Sequence, residues 1–341
     1  MDNKITKSRL ANFFAYEWIL MLVSIIIAVV VMELVFAMAG VRLSVGQTFS
    51  IYYDENIVST NQDGFESMLT DNETFSYDVL EVTQEALLAE QNVLYLRMST
   101  YDADAIITDE KLIESEGYEA TRGKSLIDVY DMYVMDELYE DACNYLKGFL
   151  KEEGLDPTNY ANLKEDKIDE HFLIRLSKDN RFRSSAKKEE GKSLERARIK
   201  KLCLEVQAFK KLLDLDTELY QSSNGEQSYF TYYTKGYQQM TLVAEGETEE
   251  LAEKTAIFET AKADNLAKYG RETARYGLKA DMLKDGTRSV NEFFRIVGGT
   301  DATDVVIEIF NFRAQQIELQ YESISFLTTI VKNCSNLNIY A

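Results

Sequence analysis

The sequence predicts an α/β protein: a single N-terminal transmembrane helix, then a body with a mainly parallel sheet and a helix-rich remainder. Three observations predict it. Trp18–Gly40 is the one long apolar run of the chain. Between Thr48 and Thr108, strand-like and helix-like patterns alternate in β-α-β-α-β order, which implies parallel strands joined by right-handed crossovers. Helical periodicity dominates much of the rest, including a helical insertion over about 120–220.

At about 1.5 Å per residue, Trp18–Gly40 rises roughly 34 Å, enough for a hydrocarbon core of ~30 Å. Lys4, Lys7 and Arg9 precede it, whereas the stretch after Arg42 has no Lys or Arg until Arg97. That bias places residues 1–17 on the cytoplasmic side and residues 41–341 outside the cell membrane, expected to be a bacterial one. Ala37-Met38-Ala39 has the form of a signal cleavage site, but the apolar run exceeds a signal core, so a retained single-pass anchor is expected.

The body opens on alternating Thr48–Tyr53, a strand. Asn61 begins a short helix with Phe65, Met68 and Leu69 on one face. Phe75, Tyr77 and Val79 alternate as a second strand. Leu87, Leu88, Gln91, Leu94, Tyr95 and Met98 recur at helical spacing, and Ala103–Thr108 is a third strand. Lys124–Lys151 reads as a helix with Met135, Leu138, Ala142 and Leu146 on its apolar face. Ser184–Lys192 is polar and periodless, hence a loop. Ile199, Leu202, Val206, Phe209 and Leu213 mark a helix. Ser222–Gly225 is a turn, and Tyr229–Tyr237 is extended. Gln239–Ala244 is a further candidate strand and Glu245–Tyr269 a helix. Gly270 and Gly277 are breakers. Val305–Phe312 fits either a strand or a helix, and Ile317–Val331 is a final helix.

The chain of 341 residues has a formal net charge of -21. Such a field repels nucleic acid, so no nucleic-acid partner is expected. Cys143, Cys203 and Cys334 are odd in number and widely spaced, and His171 is the only histidine. No metal site, disulfide framework or cofactor is expected from them. No Gly-rich phosphate loop, Gly-x-Ser-x-Gly or His-Glu-x-x-His occurs, so the protein is expected not to be an enzyme.

The sharpest local pattern is Leu96–Glu110, where a helix runs through an acidic turn into Ala103-Asp104-Ala105-Ile106-Ile107 and closes on Asp109-Glu110. With the preceding β-α-β-α, residues 48–111 resemble the first lobe of extracellular solute-binding proteins of ABC-type importers. The resemblance implies a two-lobed body whose cleft captures a solute. The lipid-modified cysteine of that family is absent here, and the second lobe is not traceable.

In open parallel sheets, ligands bind beyond the carboxyl ends of the strands. The candidate ligand-binding residues are therefore Tyr52, Tyr53, Asp54, Thr108, Asp109 and Glu110, with Tyr232 and Tyr233 as a stacking platform. Helix capping is the structural alternative for Thr108 and Asp109. Arg175–Lys211 holds thirteen Lys or Arg against five Asp or Glu. Within it, Lys187, Lys188, Lys192, Arg196, Lys200 and Lys201 are a candidate anion-binding patch, unless carboxylates interleave and leave a solvated helix face. The expected role is non-catalytic: a membrane-anchored extracytoplasmic protein that captures a solute or a protein partner. The alternative is a structural subunit of an envelope assembly with no small-molecule ligand.

Overall fold

A computed structural model describes residues 18–39, 47–54, 56–86, 103–109, 126–129, 131–176, 179–237, 247–311 and 320–340, with the single residues 7, 240 and 243. The chain divides into two compact units, Met1–Ser44 and Val45–Ala341.

In the first unit, Trp18–Ala39 is one helix, α1, of 22 residues. Its side chains from Leu22 to Met32 are exposed. Among the described residues no helix is long and apolar enough to cross a membrane. The expected transmembrane helix, and the single-pass membrane architecture built on it, are therefore corrected. The structure shows an apolar helix and no span.

The second unit is built on a six-stranded sheet of order β3-β1-β4-β8-β6-β5. Its strands are β1 (Thr48–Tyr53), β3 (Glu81–Ala86), β4 (Ala105–Asp109), β5 (Phe230–Tyr233), β6 (Ala274–Lys279) and β8 (Val305–Ile309). A separate antiparallel pair joins β2 (Ile57–Ser59) to β7 (Phe294–Ile296). Strand β1 runs parallel to both β3 and β4. The pairings β4–β8, β6–β8 and β5–β6 are antiparallel. The expected mainly parallel sheet is thus corrected to a mixed one, with a parallel half drawn from residues 48–109 and an antiparallel half from later segments. Mixed sheets of this kind are common in large α/β folds.

Strands β1, β4 and β8 are buried on both faces, which explains why Ala-Ile-Ile and Val-Val-Ile runs replace clean alternation. One face packs on α2 (Gln62–Asp71), α4 (Met135–Lys147), α6 (Ser185–Ser222) and α8 (Glu322–Cys334). The other face carries Tyr52, Ile106, Tyr276 and Phe310, covered in part by Ile127 of the short helix α3 (Leu126–Val129) and by Met132. Helix α8 is buried nearly all round, although it carries Glu322, two serines and two threonines among its buried residues. Its hydroxyls are satisfied: Thr328 donates to Glu205 at 2.6 Å, and the Thr74 hydroxyl donates to Thr329 at 3.1 Å.

Several elements depart from the sequence reading. Phe75–Val79 is not a strand. Phe75 packs against Phe49 with ring centroids 4.5 Å apart, while the Tyr77 hydroxyl donates to Glu195 at 2.8 Å. The strand begins at Glu81, a polar edge segment with no apolar alternation. The helix expected over Lys124–Lys151 is broken before Met135, because Met132 bridges to Phe310, just past the end of β8. Ser184–Lys192 is not a loop. Ser184 caps α6 by accepting from the Lys187 amide, and Lys187–Glu190 and Lys192–Glu189 pairs reinforce its first turns. The helix expected over Leu87–Met98 lies outside the described residues, as does most of Gln239–Ala244.

Gly277 is no breaker but a member of β6. A Cβ there would lie 2.3 Å from Val306 Cγ1 and 2.6 Å from Glu308 Cγ, so the close approach of β6 and β8 requires glycine. Gly277→Ala is expected to destabilise the body by about 1–3 kcal/mol through overpacking. A urea unfolding midpoint equal to that of the wild type would show that the sheet absorbs the methyl group.

Candidate functional site

The parallel half of the sheet brings four of the expected ligand residues together. Tyr53 sits beside Ile107 in register, and the Thr108 hydroxyl donates to Asp54 at 3.1 Å. Asp109 ends β4 one residue further on. These groups lie at one sheet end but they are packed. Tyr52, Tyr53, Thr108 and Asp109 are all buried, and the Tyr53 hydroxyl donates to Gln84 at 2.7 Å. Burial also pushes the Tyr53 phenol well above its ordinary pKa. Glu110 lies outside the described residues.

Tyr232 and Tyr233 are elsewhere. They lie on β5 at the far edge of the sheet, and the antiparallel pairings place Tyr233 level with Ala274, away from the Lys279–Val306–Thr108 end. Tyr232 stacks on Tyr220 at 4.1 Å and donates to Asp216 at 2.6 Å, while Tyr233 donates to Asp128 at 2.9 Å. The two tyrosines therefore do not share a mouth with Asp54 and Asp109.

The basic section does not form an uninterrupted patch. Lys187 and Lys192 are paired as above, and Arg196 grips Asp169 at 2.6 Å and Glu165 at 2.9 Å. Lys200 lies over the Tyr160 ring. Lys201 donates to the main-chain carbonyls of Glu73 and Thr74, closing the turn after α2. Lys188 is half-buried on the same helix. Interleaved carboxylates give this surface the character of a solvated helix face.

A concave feature lies on α4. Its buried stripe, Met135, Leu138, Ala142 and Leu146, turns into the core. On the opposite stripe, Glu137, Glu140, Asp141 and Asn144 line a cavity of about 620 Å³ together with Tyr133, Tyr145, Gln320, Tyr321 and Lys268. The spacing i, i+3, i+4, i+7 puts these four polar residues on one face of the helix. The volume falls in the range of small-ligand sites.

Aromatic rings floor this cavity. Tyr145 and Tyr321 face each other at 5.0 Å with a 32° tilt. The Tyr321 hydroxyl donates to the Asp141 carbonyl at 3.1 Å, and the Tyr133 hydroxyl donates to the Asp141 carboxylate at 3.2 Å. Behind the floor, Arg198 donates to the Tyr145 hydroxyl at 2.5 Å. Arg198 is in turn held by Glu195, which also takes Arg175 at 2.9 Å and faces His171 at 3.4 Å. Burial acts to raise the Glu195 pKa, but Arg198, His171 and Arg175 hold it well below the usual carboxylate range. One rim is supplied by Lys268 near the end of α7 (Thr248–Tyr269). Its Nζ lies 2.8 Å from Glu137 and 3.7 Å from Glu140. The neighbouring Tyr269 hydroxyl donates to Glu137 at 3.0 Å.

A second cavity of about 590 Å³ is walled by the segments around Asp281–Glu292 and Asp301–Thr303, with the Arg288–Glu292 pair at its side. Among the described residues no group of His, Cys, Asp or Glu is arranged to hold a metal ion. The cysteines are buried, and burial raises the Cys143 thiol and pushes Cys203 and Cys334 up to about 12. Sequence reasoning missed the α4 cavity. Its signal was the acidic stripe at helical spacing, which is indistinguishable in sequence from an ordinary solvated face. No family model, curated protein or solved structure matches the chain.

Proposed function

We propose that the second unit is a non-catalytic capture module, holding a solute or a projecting group of a protein partner in the α4 cavity. The observation that carries the reading is the cavity itself: an aromatic floor with polar groups converging from three elements. Such a combination is the usual form of a small-ligand site. Its polar groups are engaged in hydrogen bonds and ion pairs that fix their positions, an arrangement suited to recognition. The Tyr145 side of the cavity is braced by Arg198 and the buried carboxylate behind it.

A thermal-shift screen of the full chain against small molecules and short peptides tests this. Asn144 is exposed on the cavity wall, and Asn144→Trp fills the space from the surface. The expected result is at least one compound that raises the melting temperature of the wild type and not of Asn144→Trp. Equal shifts in both proteins, or none in the wild type, would reject the assignment.

A further inference from the structure

The edge of the sheet is a second surface, separate from the α4 cavity. We propose that strand β3 accepts an extended segment of a partner protein, carrying lysine or arginine at alternate positions, as an added strand. Strand β3 is last in the sheet order, and β1 is its one neighbour among the described residues. The direction of its main-chain groups follows from β1. The Ser50 amide donates to the Asp104 carboxylate at 2.8 Å, and the Ser50 carbonyl accepts from the Asp104 amide at 3.0 Å. The Asp54 amide donates to the Ile107 carbonyl at 2.9 Å. Even-numbered residues of β1 therefore face β4, and Phe49 and Ile51 face β3. In a parallel ladder each of these bonds the residues on either side of its partner. Their partners are Val82 and Gln84, so the groups that meet β1 belong to Glu81, Thr83 and Glu85. The amides and carbonyls of Val82 and Gln84 point away from the sheet.

Proline, lysine or a bulge commonly blunts an exposed edge. Strand β3, Glu-Val-Thr-Gln-Glu-Ala, has none of these, and its register with β1 is unbroken from Glu81 to Ala86. Charge selects the occupant. The sequence has no Lys or Arg between Arg42 and Arg97. Glu81 and Glu85 are exposed on the face of β3 that carries Thr83, whose hydroxyl donates to Ser50. On the other face, Gln84 donates to the Gln62 carbonyl at the start of α2, where Asp63 and Glu66 are exposed. An incoming strand thus meets carboxylates on both faces. Opposite charges across a strand pair stabilise it and like charges oppose it. The same rule disfavours a second copy of β3, which would bring Glu81 and Glu85 against their own counterparts. Main-chain bonds supply the affinity in such strand addition, and alternate side chains the specificity.

Fluorescence anisotropy of the full chain with a labelled heptapeptide of alternating lysine and valine tests the proposal. The peptide is expected to bind, and N-methylation of its central two residues to weaken binding by about tenfold or more, because main-chain donors are lost on both of its edges. Glu81→Lys, at an exposed position, is expected to weaken it by about two- to fivefold. Val82→Pro removes an outward donor that β1 does not use, a change that edge strands tolerate. It is expected to abolish binding while circular dichroism remains that of the wild type; the N-methylated peptide decides the matter if this variant does not fold. A peptide with glutamate in place of lysine should not bind, and Asn144→Trp should bind the lysine peptide as the wild type does. Equal binding of the N-methylated or the glutamate peptide would overturn the proposal, as would failure of the lysine peptide to bind. Binding that Asn144→Trp blocks would place the peptide in the α4 cavity instead. Dimerisation that Val82→Pro removes would assign the edge to a second copy, and would equally overturn the basic partner.

Discussion

Replacing Arg198 with Leu is expected to lower the unfolding free energy of the body by about 3 kcal/mol, because it removes one of the two guanidinium partners of a buried carboxylate. Arg198 is nearly inaccessible, and it meets a Glu195 that is fully buried. It donates twice to that carboxylate at 2.9 Å. The same carboxylate accepts from Tyr77 at 2.8 Å and from Arg175, which also pairs with Asp78. The network ties α6 to α5 (Glu165–Leu176) and to the segment before β3. Leucine would fill part of the volume and leave Glu195 with fewer donors.

The same carboxylate sets an acid dependence. Because the folded pKa of Glu195 is depressed, its stabilisation is fully present above the unfolded glutamate value of about 4.3. It is lost progressively as pH falls below that value toward the folded pKa. Urea midpoints measured from about pH 6 down to about pH 3 should therefore fall less steeply for Glu195→Gln than for the wild type. Parallel curves would show that other carboxylates carry the acid transition.

Phe326→Ala is expected to cost about 3–5 kcal/mol, the usual range for a large aromatic lost from a close-packed core. Phe326 is fully buried at the centre of α8. Its ring lies 5.1 Å from Phe49 of β1, 6.2 Å from Phe65 of α2 and 6.5 Å from Phe75. One side chain thus joins the sheet, the first helix of the body and the segment before β3. Phe326→Leu, which keeps most of the volume, should recover more than half of the loss in urea midpoint. A loss below about 1 kcal/mol for the alanine variant would mean that the neighbouring rings collapse into the space.

The legible parts of the fold were those that local pattern decides. Thr48–Tyr53, the Asn61 cap with its Phe65, Met68 and Leu69 face, and the α6 stripe from Ile199 to Leu213 all stand where periodicity placed them. The illegible parts depend on distant partners. Glu81–Ala86 becomes a strand only because β1 offers it an edge, and Gly277 lies in a strand only because β8 comes close. Besides its cap and ion pairs, the polar start of α6 is held because Gly191 lets it pack on Phe172 and Phe182, the former on another helix. In the expected ligand site, β1 and β4 pair and the Thr108 hydroxyl reaches Asp54, but the burial of Tyr53, Thr108 and Asp109 is a tertiary property. The tyrosines of β5 were separated from them by antiparallel pairings that the sequence does not announce.

The most direct measurement is a crystal structure of the full chain with the tightest-binding compound from the thermal-shift screen. The account predicts ligand density in the α4 cavity, against the helix face that carries Glu137, Glu140 and Asn144. Density at the carboxyl ends of β1 and β4, beside Asp54 and Asp109, or elsewhere on the body with the α4 cavity unchanged, would contradict it.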